Sequence, residues 1–244
     1  MSLIQGDCIQ ALRQLPDDSV NSVITDPPYN LGAFMQGRAH NLGNMRTNNF
    51  VDAGWDNAPA DEWEALIGEL LIELARVTRK GGALVVFMAA IKVETIIRLA
   101  QAAGFYYKTT GVWHKTNPMP RNMNLHYINS TESWIYFINQ AKTGTFNNDG
   151  RALHDYIESG VTPASEKRHG KHPTQKPLAV MRHFIETLTN PGDTVLDPFA
   201  GSGSTLVAAA ELGRAPLGIE LDQAYCDLIN ARLRAIQPHL TEIA

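Results

Sequence analysis

The sequence predicts a single α/β domain over residues 1–244, in which helices cover both faces of a mostly parallel sheet. Strand and helix patterns alternate along the chain, which is typical of βα units. Residues 83–88, ALVVFM, form a continuous apolar run, as expected for a parallel strand that is buried on both faces. A chain of 244 residues is still within the size that one hydrophobic core can serve.

The first predicted elements are a strand, a short helix and a second strand within residues 2–25. LIQG is apolar and ends at Gly6, ALRQL has helical spacing, and VNSVIT is β-branched and alternating. The second strand runs directly into the turn Asp26-Pro27-Pro28-Tyr29. Residues 30–58 contain four glycines and several asparagines without sustained periodicity, which predicts a long loop.

The alternation continues through the rest of the chain. Pro59 suits the first turn of a long amphipathic helix, which Gly81-Gly82 is expected to end. Residues 140–172 contain four glycines and little apolar sequence, so they are the weakest candidate for ordered core. The other expected elements are strand 83–88, helix 91–103, antiparallel strands 105–113 and 133–138, helix 177–189, strand 194–197, helix 204–213, strand 215–220 and helix 222–236.

The composition excludes several classes of protein. Hydrophobic residues make up 44% and charged residues 19%, which favours a folded core over disorder. The N-terminus lacks the pattern of a signal peptide, and no apolar stretch approaches the ~18 residues of a membrane span, so a cytoplasmic protein is expected. Two cysteines are too few for a disulfide framework or a four-ligand zinc site, and no histidine spacing supports a metal.

A strand leads through a glycine turn into a helix at residues 194–205, TVLDPFAGSGST. Gly201 and Gly203 let the backbone approach a ligand, and the helix N-terminus offers unpaired N–H groups to an anionic group such as a carboxylate. The loop matches neither the phosphate-binding P-loop nor the full dinucleotide spacing. Glu220 and Asp7 end other strands, where they can accept from ribose hydroxyls and an adenine amine. The alternative is a plain turn with strand-end or helix-capping acids.

The turn at residues 26–29 is the second loop whose residues suit a chemical role. Its two prolines make it rigid, so the Asp26 carboxylate, the Pro27 carbonyl and the Tyr29 ring are presented in a fixed arrangement. Two acceptors can hold the hydrogens of a planar amine and direct its lone pair at an electrophile, while Tyr29 stacks on the base. Taken alone, the tetrapeptide also fits a proline-rich turn with a helix-capping Asp.

Together these motifs resemble the amino-group DNA methyltransferases that use S-adenosylmethionine, over roughly residues 3–236. The catalytic tetrapeptide precedes the cofactor loop, as in the permuted beta group of that family. The matching segments are Gly6-Asp7, Asp26-Pro27-Pro28-Tyr29, His172-Pro173-Thr174-Gln175-Lys176-Pro177, Asp197-Pro198-Phe199-Ala200-Gly201-Ser202-Gly203 and Glu220. The resemblance implies a Rossmann-like fold with a seven-stranded sheet, one strand of which is antiparallel, and it implies no metal.

The resemblance also assigns roles to residues. Asp26, Pro27, Pro28 and Tyr29 are expected to be catalytic, and Asp26 also borders the cofactor. The remaining expected cofactor-binding residues are Glu220 at the ribose, Asp7 at the adenine amine, Thr174 and Lys176 beside the methionine end, and Asp197, Pro198, Phe199, Ala200, Gly201, Ser202, Gly203, Ser204 and Thr205 around the methionine and sugar.

Duplex DNA is the expected partner, although the formal charge is −4. A polyanion must therefore be met by local basic surface. Residues 30–58, 114–131 and 140–171 are candidate DNA-contacting loops, and the last is a short target-recognition insertion. The candidate DNA-binding residues are Arg38, Arg46, Lys115, Arg121, Lys167, Arg168 and Lys171. Because the insertion is short, a homodimer or a partner subunit is also expected to contribute to recognition, and a cognate restriction enzyme is a further partner.

The target base is expected to be adenine, flipped out of the duplex and methylated at N6. By resemblance, Asp at the first position of the tetrapeptide favours adenine. Cytosine N4 methylation stays open, since both amines satisfy the same acceptors. An RNA or protein-glutamine methyltransferase is a second alternative, although those relatives more often carry Asn at this position and the opposite motif order. A non-catalytic DNA-binding regulator is a third, whereas a dinucleotide oxidoreductase would need a third glycine.

Overall fold

The computed structural model describes residues 2–31, 58–119 and 127–240. Within these ranges, the strands are β1 (Ser2–Gln5), β2 (Val20–Thr25), β3 (Thr78–Met88), β4 (Phe105–Lys115), β5 (Thr131–Asn139), β6 (Tyr156–Ser159), β7 (Thr194–Asp197) and β8 (Ala215–Glu220). The α-helices are α1 (Cys8–Leu12), α2 (Ala60–Val77), α3 (Val93–Ala102), α4 (Leu178–Leu188), α5 (Ser204–Glu211) and α6 (Gln223–Leu240). Short 3₁₀ turns lie at Ala90–Lys92 and Ala164–Lys167.

The strands form one sheet in the order β1-β8-β7-β2-β3-β5-β4-β6. Strand β5 runs antiparallel to β3 and β4, whereas the other neighbouring pairs of this sheet are parallel. The predicted α/β class, with a mostly parallel sheet and one antiparallel strand, is therefore confirmed.

The sheet has eight strands in the described residues, one more than the resemblance implies. The additional strand, β6, pairs with the end of β4 at the edge of the sheet. It lies in the segment 140–172, which the sequence marks as the weakest candidate for ordered core. Only Ile157 of its four residues is buried, so β6 lacks the apolar pattern by which a strand is predicted.

The boundary between α2 and β3 also differs from the prediction. Helix α2 ends at Val77, and Gly81-Gly82 lies within β3 rather than at a helix end. A Cβ atom on Gly82 would lie 2.7 Å from the carbonyl oxygen of Asn21. Glycine is therefore required here by the close approach of two backbones, and not by the end of a helix.

Helices cover both faces of the sheet, as predicted. Helices α1, α2 and α3 pack on one face around a core that includes Trp63 and Leu74. Helices α4, α5 and α6 pack on the other face around a core that includes Phe184 and Leu206. The sheet is thus buried between two apolar layers, which explains why its central strands are almost continuously hydrophobic.

The strand order reverses between β7 and β2. The chain passes from β7 to β8 on one side of this point and from β2 to β3 on the other. Ligands of open α/β sheets bind at such a switch point, outside the carboxyl ends of the strands. Since β1, β2, β7 and β8 are parallel, the loops that carry Asp7, Asp26, Gly201 and Glu220 meet at this one edge.

Both cysteines are buried thiols. Cys8 and Cys226 are free and buried, and burial raises their thiol pKa values to about 12 and about 11. Across the described ranges, no cluster of three or more His, Cys, Asp or Glu side chains could hold a metal ion. No helix in this part of the chain is long and apolar enough to cross a membrane.

Asn139, the last residue of β5, ties that strand to the junction of α2 and β3. Its fully buried side-chain amide donates to the carbonyl oxygens of Ala75 at 2.8 Å and Thr78 at 2.5 Å. Asn139→Ala should lower the free energy of unfolding by about 2 kcal/mol, because two buried carbonyls lose their donors. Urea unfolding measures this change. Asn129→Ala, a control at an exposed position, should cost less than about 0.5 kcal/mol; equal losses would contradict the role of Asn139.

Candidate active site

A cavity of about 360 Å³ opens at the carboxyl edge of the sheet. The loops that follow β1, β2, β7 and β8 line it, together with the segment around Lys176. This volume is typical of a site for a small organic ligand or cofactor. The two loops singled out from the sequence therefore face the same space.

The glycine loop after β7 has the backbone conformation that its sequence predicts. Gly201 has φ +50° and Gly203 has φ +76°, both in the left-handed region that favours glycine. Gly203 immediately precedes α5, so the N-terminus of that helix faces the cavity. The backbone N–H of Ala200 donates to the carbonyl of Ile219 at 2.9 Å, which ties the loop to β8.

Asp197 and Thr205 brace this loop from within. The Thr205 hydroxyl donates to one carboxylate oxygen of Asp197 at 2.7 Å, and the Phe199 N–H donates to the other at 3.1 Å. Burial raises the pKa of Asp197 to about 7, although these hydrogen bonds favour the ionised form. Both residues border the cavity, and their direct contact with a cofactor stays a prediction.

Glu220 shapes the same loop from the end of β8. Its carboxylate accepts from the Gly201 N–H at 2.7 Å and from the Asp222 N–H at 2.9 Å. Burial raises its pKa. An ionised carboxylate has about four acceptor positions, so Glu220 retains capacity for the hydroxyls of a ligand. Glu220 lines the cavity, and its contact with a ribose stays a prediction.

Asp7 serves as a helix cap and also lines the cavity. Its side chain accepts from the Gln10 N–H at 3.0 Å and caps α1, which therefore starts at Cys8 rather than at the ALRQL segment beginning with Ala11. Capping occupies one carboxylate oxygen. Asp7 can therefore cap the helix with one oxygen and accept from a ligand with the other.

The segment 172–176 forms another wall of the cavity. The His172 ring packs edge-on against Tyr225 at 4.5 Å between centroids, and burial is the main cause that lowers its pKa to about 4. The Ser204 hydroxyl donates to the Lys176 carbonyl at 2.7 Å and joins this segment to the start of α5. Thr174 is exposed where it lines the cavity.

The Asp26 turn borders the cavity beside this segment. The Tyr29 hydroxyl donates to Oδ1 of Asp26 at 2.6 Å, and the Nζ of Lys176 forms an ion pair with Oδ2. The Trp63 indole N–H donates to the Pro28 carbonyl at 3.3 Å, which anchors the turn to α2. Burial raises the pKa of Tyr29 well above its ordinary value, so its hydroxyl remains a donor. That the Pro27 carbonyl accepts an amine hydrogen stays a prediction.

Four residues around the site were not singled out from the sequence. Arg232 of α6 is buried and donates to the Ser202 carbonyl at 2.6 Å. Phe87, the residue before the last of β3, lines the cavity, and so does Tyr225 of α6. Glu132 of β5 contacts Lys176 at 3.0 Å. The sequence carries no local signal for them, because each reaches the site through an element far away in the chain.

The candidate DNA-binding residues have different outcomes. Arg38, Arg46 and Arg121 lie outside the described residues, as do most of loop 30–58 and part of loop 114–131. Lys115 is largely buried and forms an ion pair with Glu132 at 2.5 Å. In the described loop 140–171, Lys167 is half-buried, whereas Arg168 and Lys171 are exposed. Contact of any of these residues with DNA stays a prediction.

The sequence matches the model of the DNA methylase family N6_N4_Mtase over residues 20–231. The chain belongs to this N6/N4 DNA methylase family. The methylase is 30% identical over 260 residues to the type II methyltransferase M.HinfI of Haemophilus influenzae, a match that covers 99% of this chain and 70% of the relative. It is 31% identical over 242 residues to the type II methyltransferase M2.LlaDCHI of Lactococcus lactis subsp. cremoris, covering 95% and 88%.

Solved structures agree with this assignment. The crystal structure of the M1.HpyAVI–SAM complex superposes with a TM-score of 0.73 at 27% identity, over 95% of this chain and 98% of that one. The PvuII DNA methyltransferase, a cytosine-N4-specific enzyme, gives a TM-score of 0.72 over 96% and 92%. At 16% identity, this second likeness shows the fold alone. The predicted Rossmann-like methyltransferase fold is confirmed.

The methylase is a site-specific DNA methyltransferase, and S-adenosylmethionine is the cofactor of its family. The cavity fits this molecule in size and in the chemistry of its walls. The left-handed glycines Gly201 and Gly203 bring the loop to the cavity without a side chain, and the start of α5 suits a carboxylate. Glu220 and Asp7 offer acceptors for hydroxyl and amine groups.

Gly201→Ala should weaken the binding of S-adenosylmethionine about tenfold or more. The alanine would have to adopt the left-handed backbone of Gly201, and its Cβ would lie 3.1 Å from the Nε2 atom of His172 at the cavity wall. Isothermal titration calorimetry measures the affinity. Gly213→Ala is the matched control, because Gly213 has φ +72° but no atom within 4 Å of an added Cβ. We expect this control to bind the cofactor normally; equal affinities of both variants would contradict the role of Gly201.

Proposed function

We propose that this methylase transfers a methyl group from S-adenosylmethionine to the N6 amine of an adenine flipped out of duplex DNA. The observation that carries the proposal is the position of Asp26. Its carboxylate lines the cofactor cavity, in a turn held by Tyr29 and anchored to α2. Asp at the first position of the tetrapeptide supports adenine as the target base, by resemblance to the amino-group DNA methyltransferases.

We also propose that the methylase belongs to the beta group of permuted enzymes. The tetrapeptide follows β2, whereas the glycine loop follows β7, so the catalytic motif comes first in the chain. The two motifs nevertheless lie side by side, because β2 and β7 are paired strands. This motif order supports the beta assignment.

The chemistry that the site performs follows from its acceptors. When bound, S-adenosylmethionine supplies a methyl group that is already electrophilic, because it is attached to a sulfonium. Asp26 accepts a hydrogen of the target amine and, with the Pro27 carbonyl, directs the nitrogen lone pair into the cavity. Rigid placement of the amine lowers the barrier through proximity and orientation. The proton of the methylated, cationic amine is then acidic enough to leave to water.

Tyr29 is proposed to stack on the flipped base. Its hydroxyl donates to Asp26 and its ring packs partly against the core, so these two contacts fix the orientation of the ring. Flipping costs a few kcal/mol in lost stacking and pairing. Stacking on Tyr29 would offset part of that cost, since base–aromatic stacking contributes about 1–3 kcal/mol.

DNA contact is proposed for the basic loops, with Arg168 and Lys171 as its exposed members in loop 140–171. Both precede the cavity segment 172–176 in the chain, so a phosphate bound there would be close to the reacting groups. Loop 140–171 is short for a recognition insertion. A homodimer, a cognate restriction enzyme and a cytoplasmic location stay predictions.

Cytosine N4 methylation is the second candidate function. A cytosine amine is also planar and offers two hydrogens to the same acceptors at Asp26 and Pro27. The family model covers enzymes of both specificities by its description, N6 and N4. The alternatives of an RNA methyltransferase and of a non-catalytic regulator have no observation in their favour.

Mass spectrometry of nucleosides distinguishes these functions. Unmethylated DNA of mixed sequence is incubated with the methylase and S-adenosylmethionine, digested and analysed. We expect N6-methyladenine. N4-methylcytosine instead would replace the adenine proposal with the cytosine alternative. The absence of both products, with cofactor and DNA bound, would favour a non-catalytic regulator.

Asp26→Ala should reduce methyl transfer to background, because the amine loses its charged acceptor. The dissociation constant for S-adenosylmethionine should stay within a few-fold, because the glycine loop is unchanged. Transfer of a labelled methyl group and calorimetry measure the two quantities. Asp61→Ala removes an exposed acidic residue of α2 and should leave both unchanged. Retained transfer in Asp26→Ala would disprove the role assigned to Asp26.

A further inference from the structure

Both carboxylate oxygens of Asp26 have a partner in the folded protein. The Tyr29 hydroxyl donates to Oδ1 at 2.6 Å, and the Nζ of Lys176 contacts Oδ2. In the proposed function, Asp26 also accepts a hydrogen of the target amine. The amine must therefore compete with a charged ammonium, which is the stronger donor.

Lys176 has a second carboxylate within reach. Its Nζ lies 3.0 Å from Oε2 of Glu132, and its side chain is only 8% exposed. Aromatic rings border the same ammonium, with the Phe87 centroid at 5.1 Å and the Tyr29 centroid at 6.0 Å. A buried ammonium of this kind needs paired charge, so its position is set by the two carboxylates that it contacts.

Glu132 is itself held in place from the opposite side. Its Oε1 accepts from the Nζ of Lys115 at 2.5 Å, and its side chain is 24% exposed. Burial opposes ionisation of Glu132, but the two ammonium groups lower its pKa below the usual value. Asp26 and Glu132 also hold the pKa of Lys176 above its usual value against the effect of burial. The four groups thus form a row with two positive and two negative charges.

The topology explains how Glu132 reaches this place. Strand β5 is antiparallel, so its first residues lie at the edge where β3 ends: Ser133 pairs with Met88. A parallel strand would begin at the opposite edge. The antiparallel direction of β5 therefore brings an acidic residue from its start to the carboxyl edge, beside the catalytic turn.

We propose that Glu132 is a positioning residue, which shares the Lys176 ammonium and so leaves Oδ2 of Asp26 able to accept the target amine. Lys176 stays on Glu132 when the base enters, and its charge remains compensated. Without the Glu132 carboxylate, Asp26 is the one carboxylate among the described residues that Lys176 contacts, and the ammonium blocks it. This inference rests on the proposed function, because it assumes that Asp26 binds an amine.

Glu132→Gln tests the inference, since it removes the charge and keeps the size. We expect the turnover number for DNA methylation to fall about tenfold, which corresponds to ~1.4 kcal/mol in the barrier. Calorimetry should give a dissociation constant for S-adenosylmethionine within about threefold of wild type. Glu132→Asp restores the carboxylate and should recover part of the lost turnover. Glu186→Gln, which changes an exposed acid near the end of α4 and outside the candidate DNA-contacting loops, is the matched control and should behave as wild type.

The outcomes distinguish a failure of the proposed function from a failure of the role assigned to Glu132. Wild-type protein that methylates neither base would remove the proposed function, and this inference with it. Wild-type activity together with an unchanged turnover in Glu132→Gln would overturn the positioning role alone. A third result is the loss of cofactor binding as well as turnover in Glu132→Gln, with no recovery in Glu132→Asp. That result would make Glu132 a structural residue and would also overturn its positioning role.

Discussion

The pairing of β2 with β7 is the contact on which the rest of the methylase depends. It joins the half of the sheet that carries the catalytic turn to the half that carries the cofactor loop. The paired region is short, with Ser22 beside Val195 and Val23 beside Leu196. Asn21 strengthens it from outside the ladder, because its side chain donates to Asp193 at 2.7 Å and accepts from the Thr194 N–H at 2.9 Å. A shift of this pairing would separate the turn from the cavity.

Hydrogen bonds within the protein hold the cofactor loop in place. Its carbonyl at Ser202 accepts from the buried Arg232, and its N–H at Gly201 donates to Glu220. Asp197 and Thr205 hold each other within it. These bonds join the protein's own groups and fix the conformation of the loop; a rigid binding loop loses less conformational entropy when a ligand binds.

Electrostatic compensation is the second constraint on this site. Lys176 and Asp26 are buried or half-buried charges, and an unpaired charge in such a place would be strongly unfavourable. Glu132 and Lys115 extend the pair to a row of four, so that no member faces the core with its charge uncompensated. Lys115, which the sequence suggests for DNA contact, forms an ion pair with Glu132 in this row.

The sequence alone determined the features that depend on residues close together in the chain. The alternation of strand and helix patterns predicted a mostly parallel sheet covered by helices. The glycine turn and the Pro-Pro turn predicted the two loops of the site, because backbone conformation there follows from the local residue types. Only the tertiary structure decided the features that depend on distant residues. The close approach of Asn21 explains Gly82, the pairing with β4 creates β6, and the antiparallel direction of β5 places Glu132 beside Lys176. These contacts join segments far apart in the chain, so their energy has no counterpart in a local pattern.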